Sequence, residues 1–226
     1  MSLIQVENIT KFYDGGDTPV TALGGVSLTI EEGEFIALLG PSGSGKSTLL
    51  SILGAINPPS GGKVIIDEID LYALSSERLA DFRSEYLGFV FQQFQLIPYL
   101  TALENVMLPL AITKYSNAEQ KEMAHKVLEK VGLRNKADRL PNQLSGGEQE
   151  RVAIARAIVN NPPILFADEP TGALDTKTGE EIMALFKRLN AEGQTIIMVT
   201  HNTDNVQHVS RAIYIRDGLI ESTAAD

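Results

Sequence analysis

Residues 40–48 read Gly-Pro-Ser-Gly-Ser-Gly-Lys-Ser-Thr, and their types and spacing suit a loop that holds phosphate. Gly40 and Gly45 occupy the fixed glycine positions of the pattern G-x-x-x-x-G-K-[ST], with Lys46 as the cation and Ser47 as the hydroxyl. Glycine at 40, 43 and 45 lets successive backbone N–H groups turn inward toward phosphate oxygens, in conformations that a β-carbon obstructs. Pro41, Ser42 and Ser44 fill the loop between them, and Thr48 leads out of it. Lys46 is expected to reach the β- and γ-phosphates of a nucleotide, and Ser47 to ligate Mg²⁺. The flanks agree. Residues 35–39 are a continuous apolar run suited to a buried parallel strand, while Leu49, Leu50 and Leu53 stripe a helix whose N-terminal dipole adds to the anion site.

Two further strands end in chemistry. The run Ile164, Leu165, Phe166, Ala167 reads as a buried strand that delivers Asp168 and Glu169. Carboxylates at the carboxyl end of a parallel strand lie where open α/β sheets place ligands. Asp168 suits a Mg²⁺ shell and Glu169 is placed to orient or deprotonate water; the competing reading has both acids capping the next turn. Residues 195–200 form another buried strand that delivers His201, which could hydrogen-bond a γ-phosphate or the water, although a lone histidine is usually structural. Leu144, Ser145, Gly146, Gly147 and Glu148 precede a helical pattern over residues 149–160 with Val152, Ala155 and Val159 on one face. That start makes a second anion site with Ser145 as a donor, or an ordinary serine-capped helix. Tyr13 can offer a ring face to an adenine, or serve as a core or rim aromatic.

The remaining elements must position these groups. Ile4 and Val6 alternate with Gln5 and Glu7, and Val26, Leu28 and Ile30 with Ser27 and Thr29, so two half-buried antiparallel strands are expected, joined through polar residues 14–18. Gly61 and Gly62 before Val64, Ile65 and Ile66 suggest a third strand of that small sheet. Residues 75–86 read as helix, 87–91 as a short buried strand ending at Gln92 and Gln93. Phe94, Leu96, Ile97, Pro98, Tyr99 and Leu100 then form an apolar stretch, either packed into a helical subdomain or left as a docking surface. Ala124, Val127, Leu128 and Val131 stripe a helix, with His125 off the stripe as a surface residue. Ile182, Leu185, Phe186 and Leu189 stripe another. Asp217 and Gly218 between residues 212–215 and 219–220 signal a hairpin, with a frayed end from Ser222 to Asp226.

Composition narrows the partners. With 43% hydrophobic and 21% charged residues over 226 positions, the chain is an ordinary globular sequence of one or two domains rather than a disordered one. A formal charge of −10 disfavours a broad basic surface, so no nucleic-acid partner is expected. Cysteine is absent, which rules out disulfides and thiolate metal sites and is compatible with a reducing compartment. Residues 1–7 lack the charged and apolar regions of a signal peptide, and no apolar run approaches 18 residues. Work at a membrane would require another chain to hold this one there.

With these residues laid out, the chain resembles the ATP-binding cassette (ABC) ATPases, along essentially its whole length and in order. Residues 40–48 match the Walker A loop, Tyr13 the adenine-stacking A-loop, Gln92 the Q-loop, residues 144–148 the signature and residues 164–169 the Walker B strand. Ala173, Leu174 and Asp175 match the D-loop and His201 the switch histidine. The segments GFVFQQFQLIPYLTALENV and DEPTGALDTKTGEEI are similar to the branch serving macrolide export, lipoprotein release and cell-division complexes. Two departures stand out: Glu148 replaces the usual glutamine, and Gly172 a common serine.

The resemblance implies an α/β fold: a P-loop NTPase core with a mainly parallel sheet, an N-terminal antiparallel β-subdomain and a helical signature subdomain. It implies one cassette domain over 1–226, with the core and β-subdomain in residues 1–92 and 161–226 and the helical subdomain in 93–160. ATP and Mg²⁺ are the implied ligands. Lys46, Gln92, Glu169 and His201 are the implied catalytic set, and Ser47, Gln92 and Asp168 the metal ligands. Gly40, Pro41, Ser42, Gly43, Ser44, Gly45, Lys46, Ser47, Thr48 and Tyr13 face the nucleotide. Two copies would pack head to tail, with Ser145, Gly146, Gly147 and Glu148 of one facing the ATP of the other. Integral-membrane permease subunits would dock near residues 92–100, on the cytoplasmic face of the cell membrane. The alternative is an ATP-controlled regulatory or force-transmitting module of an envelope complex. Soluble ABC ATPases of DNA repair or translation carry a coiled-coil insertion or two cassettes, and a P-loop kinase gives residues 144–148 and Glu169 no role.

Overall fold

The period-two pattern near the N-terminus folds as it reads. In the computed structural model, which describes residues 2–14 and 20–225, β1 (Ser2–Tyr13) pairs antiparallel with β2 (Val20–Glu31). From residue 15 to residue 18 the expected polar connection lies outside the described residues. Ile4, Val6, Val26 and Ile30 are buried on one face, as the alternation requires. β4 (Gly61–Ile66) pairs with the other edge of β1 and β5 (Ile69–Asp70) with β4, giving a four-stranded antiparallel sheet in the order β2-β1-β4-β5.

The continuous apolar runs form the inner strands of the second sheet. Its members are β3 (Phe35–Leu39), β6 (Leu87–Val90), β7 (Ile164–Asp168), β8 (Thr195–Val199), β9 (Arg211–Arg216) and β10 (Leu219–Ala225). The order is β10-β9-β3-β8-β7-β6, parallel from β9 to β6 with β10 antiparallel at one edge. Side chains divide cleanly between its faces. Ile36, Leu38, Phe166 and Ile197 face a core shared with the small sheet and α1 (Lys46–Leu53). Ala37, Leu39, Leu165 and Met198 face a core built on α5 (Gly146–Ile158) and α6 (Thr176–Ala191), which continues into α3 (Ala102–Met107) and α4 (Asn117–Lys130). Helices on one face and a second sheet on the other explain why β3, β7 and β8 are apolar along nearly their whole length.

α2 (Ser76–Tyr86) starts on the Ser75 cap, and the helix expected after residue 149 already begins at Gly146. His125 is exposed, as expected. One expectation is overturned: Ser222, Thr223, Ala224 and Ala225 are paired with Tyr214, Ile213, Ala212 and Arg211, so the tail is strand to Ala225 rather than frayed end, while Asp226 lies outside the described residues. The Asp217–Gly218 turn, with φ of 49° and 75°, supplies the two left-handed residues of a tight hairpin. β10 then satisfies backbone groups that β9 would otherwise leave open.

One buried charge-bearing group stands apart from these apolar cores. Glu150 on α5 is 1% exposed, and its Oε1 has no hydrogen-bond partner. Burial pushes its carboxyl up to about 8, against the opposing pull of the Arg156 charge. An unfolded glutamate loses its proton near 4.5, so the folded chain holds an extra proton between these values. The contribution is therefore present at low pH and lost as pH rises from about 5 to about 8. Urea-unfolding midpoints should fall across that window in the native chain and fall less in Glu150→Gln; identical pH slopes for the two proteins would count against this assignment.

Candidate functional site

Four neighbouring parallel strands, β3, β8, β7 and β6, end on the same side of the sheet, and each delivers one part of the site. The phosphate loop follows β3, Asp168 closes β7 and Glu169 follows it, His201 comes two residues after β8, and Gln92 two after β6. A cavity of about 540 Å³ is lined by Ser42, Gly43, Ser44, Gly45, Lys46, Ser47, Thr48, Gln92, Glu169 and His201, together with Ala22 of β2. Ligands bind at such strand ends in open α/β sheets because the loops there diverge.

The loop is held against its surroundings backbone to backbone. A Cβ on Gly40, where φ is 144°, would lie 2.0 Å from the Ile215 carbonyl oxygen. One on Gly45, where φ is 100°, would lie 2.5 Å from that of Ala22. The Gly218 N–H donates to the Ser44 carbonyl at 3.1 Å, so the β9–β10 turn braces the loop. Lys46 is buried, and its Nζ donates to the carbonyls of Gly40 at 2.9 Å and Pro41 at 2.8 Å. Ser47 Oγ donates to Asp168 Oδ1 at 3.2 Å. Burial pushes the Asp168 carboxyl above its ordinary range, opposed by that hydrogen bond, while the Glu169 charge raises it and the Lys46 charge lowers it.

This donor set fits its implied ligands. Glycine-shaped backbone, a helix start and one ammonium suit phosphates. A hydroxyl beside a single carboxylate suits Mg²⁺, which takes one or two carboxylates and completes its shell with water and phosphate oxygens. No group of three or more His, Cys, Asp or Glu able to hold a metal occurs among the described residues.

Glu169 has a φ of 52°, unusual for a residue with a side chain. Its N–H donates to the Val199 carbonyl at 2.9 Å and its own carbonyl accepts from Gly172 at 3.0 Å. The side chain meets His201, with Nδ1 and Oε2 2.6 Å apart. A carboxylate paired with an imidazole at the mouth of a phosphate cavity can take and pass a proton.

Other expected residues sit elsewhere. Tyr13 does not line the cavity; its hydroxyl accepts from Asn57 at 2.7 Å, and Lys11 Nζ stands 5.2 Å from its ring centroid. Ser145 caps α5 in a capping box: its Oγ accepts from the Glu148 N–H at 3.3 Å, and Glu148 Oε2 accepts from the Ser145 N–H at 2.8 Å. Gly147 allows α5 to approach α6, since a Cβ there would lie 2.3 Å from Thr178 Cγ2. None of these residues reaches the cavity of its own chain.

The family model described as ABC transporter matches residues 23–172. The chain belongs to the ABC transporter family. An uncharacterized ABC transporter ATP-binding protein, MJ0796 of Methanocaldococcus jannaschii, is 52% identical over 225 residues, covering 97% of this chain and 95% of that protein. The solved dimeric structure of a post-hydrolysis state of the cassette MJ0796, bound to ADP and Pi, superposes with a TM-score of 0.91 at 48% identity and 98% coverage of both chains. The macrolide export ATP-binding/permease protein MacB of Rhodopirellula baltica is 48% identical over 221 residues, which span 96% of this chain and 32% of that one. This cassette is therefore an ABC ATPase with the α/β architecture expected of it.

Reading residues alone missed Ala22 in the lining and the side chains that brace the loops. Asn205, buried in the segment after His201, donates to Thr200 Oγ1 at 3.1 Å and Thr171 Oγ1 at 3.3 Å, tying the histidine loop to the segment after Glu169. Asn105 is fully buried and bonds the N–H and carbonyl of Ile97. No local pattern marks either residue. The packing of Gly40 generates a sharp test: Gly40→Ala should lower unfolding stability by about 2 kcal/mol or more and abolish ATP binding, read by denaturation and by a fluorescent ATP analogue. Native-like affinity would contradict the backbone contact with Ile215.

Proposed function

We propose that this cassette is the ATP-hydrolysing subunit of a membrane transporter, with the residues around the cavity in distinct roles. The contact between Glu169 and His201 beside the phosphate loop carries the reading. Glu169 would orient and deprotonate the attacking water, and His201, bonded to its carboxylate, would hold that carboxylate and sense the γ-phosphate. Lys46 would leave its loop carbonyls for the β- and γ-phosphates, and the N–H groups from Gly40 to Thr48 would cradle them. Ser47, Asp168 and Gln92 would hold Mg²⁺, whose charge when bound neutralises that developing on the phosphate oxygens. Tyr13, fixed through its hydroxyl by Asn57, would stack on the adenine.

The signature residues Ser145, Gly146, Gly147 and Glu148 would serve the ATP of a second copy. Their position away from the cavity of their own chain supports this, as does the dimeric state of the solved MJ0796 cassette. In a head-to-tail pair each γ-phosphate becomes part of the interface, present with ATP and lost on hydrolysis, so the nucleotide biases the open and closed states. Permease subunits would dock beside residues 92–100, where Tyr99 is 77% exposed and a groove of about 490 Å³ opens between Phe91, Ile112 and Ile56. Residues 93–160 would move as a helical unit against the core and β-subdomain of 1–92 and 161–226. The cassette would thus work peripherally on the cytoplasmic face of the cell membrane.

Glu169→Gln should retain ATP binding and lose roughly 100-fold or more in turnover, trapping a dimer that gel filtration detects with ATP and not with ADP. A variant that stays monomeric at saturating ATP would sink the head-to-tail model. Lys46→Ala should abolish nucleotide binding; unchanged affinity would remove the ammonium from the site.

A further inference from the structure

The segment that carries Gln92 has little secondary structure to hold it. β6 ends at Val90, and a β-turn follows in which the Phe94 N–H donates to the Phe91 carbonyl at 3.1 Å, leaving Gln92 and Gln93 at its corner. Phe94 and Gln95 come next, with φ of 57° and 49°. Two consecutive left-handed residues with side chains are unfavourable in isolation and need an outside constraint. Arg156 supplies one. From the far part of α5 its Nη2 donates to the Phe94 carbonyl at 2.7 Å and its Nη1 to the Gln95 carbonyl at 2.6 Å. These are charge-assisted bonds, and the planar fork matches two adjacent acceptors as a lysine cannot.

We propose that Arg156 is a positioning residue for ATP hydrolysis: its guanidinium clamps the two carbonyls after the turn and so keeps Gln92 at the nucleotide cavity. The inference rests on the reading of Gln92 as a residue of the site. Geometry limits how Arg156 can act. It does not line the nucleotide cavity, whereas Gln92 does. It does line the apolar groove on the other side of the turn, beside Phe91 and Ile112. A chain seated in that groove would therefore bear on the same guanidinium that sets the turn, so docking and the placement of Gln92 share one side chain.

The charge on Arg156 lies close enough to the buried Glu150 carboxyl to oppose the effect of its burial, so the test keeps that charge. The full-length protein carries Arg156→Lys, Gln92→Ala and both together. Arg156→Lys should lower kcat about tenfold with ATP affinity within about twofold, because the clamp orients a residue and does not bind nucleotide. Amide exchange of residues 91–95 should quicken in it. Gln92→Ala should also lower kcat, and the double variant should be no slower than Gln92→Ala by more than about twofold, since both changes disable one unit. A merely structural arginine would instead give losses that multiply. Native kcat in Arg156→Lys, or multiplying losses, would overturn the proposal while leaving Gln92 in the site. Native kcat in Gln92→Ala would overturn the site reading and the clamp together. Should the lysine variant fail to fold, Arg156→Gln is scored in the same way in a Glu150→Gln background, which removes the carboxyl that the charge opposes.

Discussion

The phosphate loop depends on contacts that only backbone can make. Gly40 sits so close to β9 that a methyl group would overlap the Ile215 carbonyl, and Gly45 sits nearly as tight against β2. The turn between β9 and β10 joins the same contact, with the Gly24 N–H donating to Gly218 and the Gly218 N–H donating to Ser44. The loop is thus gripped between the two sheets, and Lys46 fills its interior by bonding its own carbonyls. This arrangement fixes the N–H directions before any ligand arrives, so little ordering remains for binding to oppose. It also explains why the last hairpin is strand to Ala225: without β10 the bracing turn would have no second arm.

Around that fixed loop, the sheet acts as an alignment device. Parallel strands in the order β3-β8-β7-β6 bring residues far apart in sequence to one edge, and a shift of one residue would send each strand's side chains to the opposite face. Both faces are buried, so the register is tightly specified. Glu169 shows what this rigidity allows. Its left-handed backbone is unfavourable by about 1–2 kcal/mol, yet hydrogen bonds to Val199 and from Gly172 hold it, and the side chain is delivered to His201. Strain at this residue and at Phe94 and Gln95 falls on the loops beside the cavity, while β3, β6, β7 and β8 contain no left-handed residue.

What the sequence made legible follows from range. The phosphate loop, the apolar strands and the Asp217–Gly218 hairpin are local patterns, and each folds where its residues indicate. Boundaries were less visible: α5 starts at Gly146 because Ser145 and Glu148 close a capping box, which makes both readings of Ser145 compatible, a cap within its own chain and a residue free to serve another. Tyr13 was legible only as an aromatic that could stack on adenine or sit at the core or rim; its fixation by Asn57 and the ammonium above its ring depend on a loop 44 residues away. Arg156 and Asn105 were not legible, since each braces an irregular segment through contacts that no periodicity encodes. Arg156 did leave one trace: a charged side chain on a helix whose neighbours Ala155 and Ala157 are buried.

Glu148 illustrates how a departure from a family pattern can be absorbed locally. A carboxylate in place of glutamine puts negative charge beside a helix start proposed to face phosphate, which by itself would repel the ligand. The structure gives that charge two partners. Glu148 Oε2 accepts from the Ser145 N–H, and Oε1 lies 3.2 Å from Lys136 Nζ. The backbone bond from Ser145 is the main reason its carboxyl stays below the ordinary range, with Lys136 adding to it, so the group is ionised and compensated rather than free. The N-terminal dipole of α5 favours the same charge. Because Lys136 is partly exposed, its share is screened by salt, and the backbone contribution dominates. The substitution therefore alters how the first turn of α5 is capped more than it alters the field a phosphate would meet there.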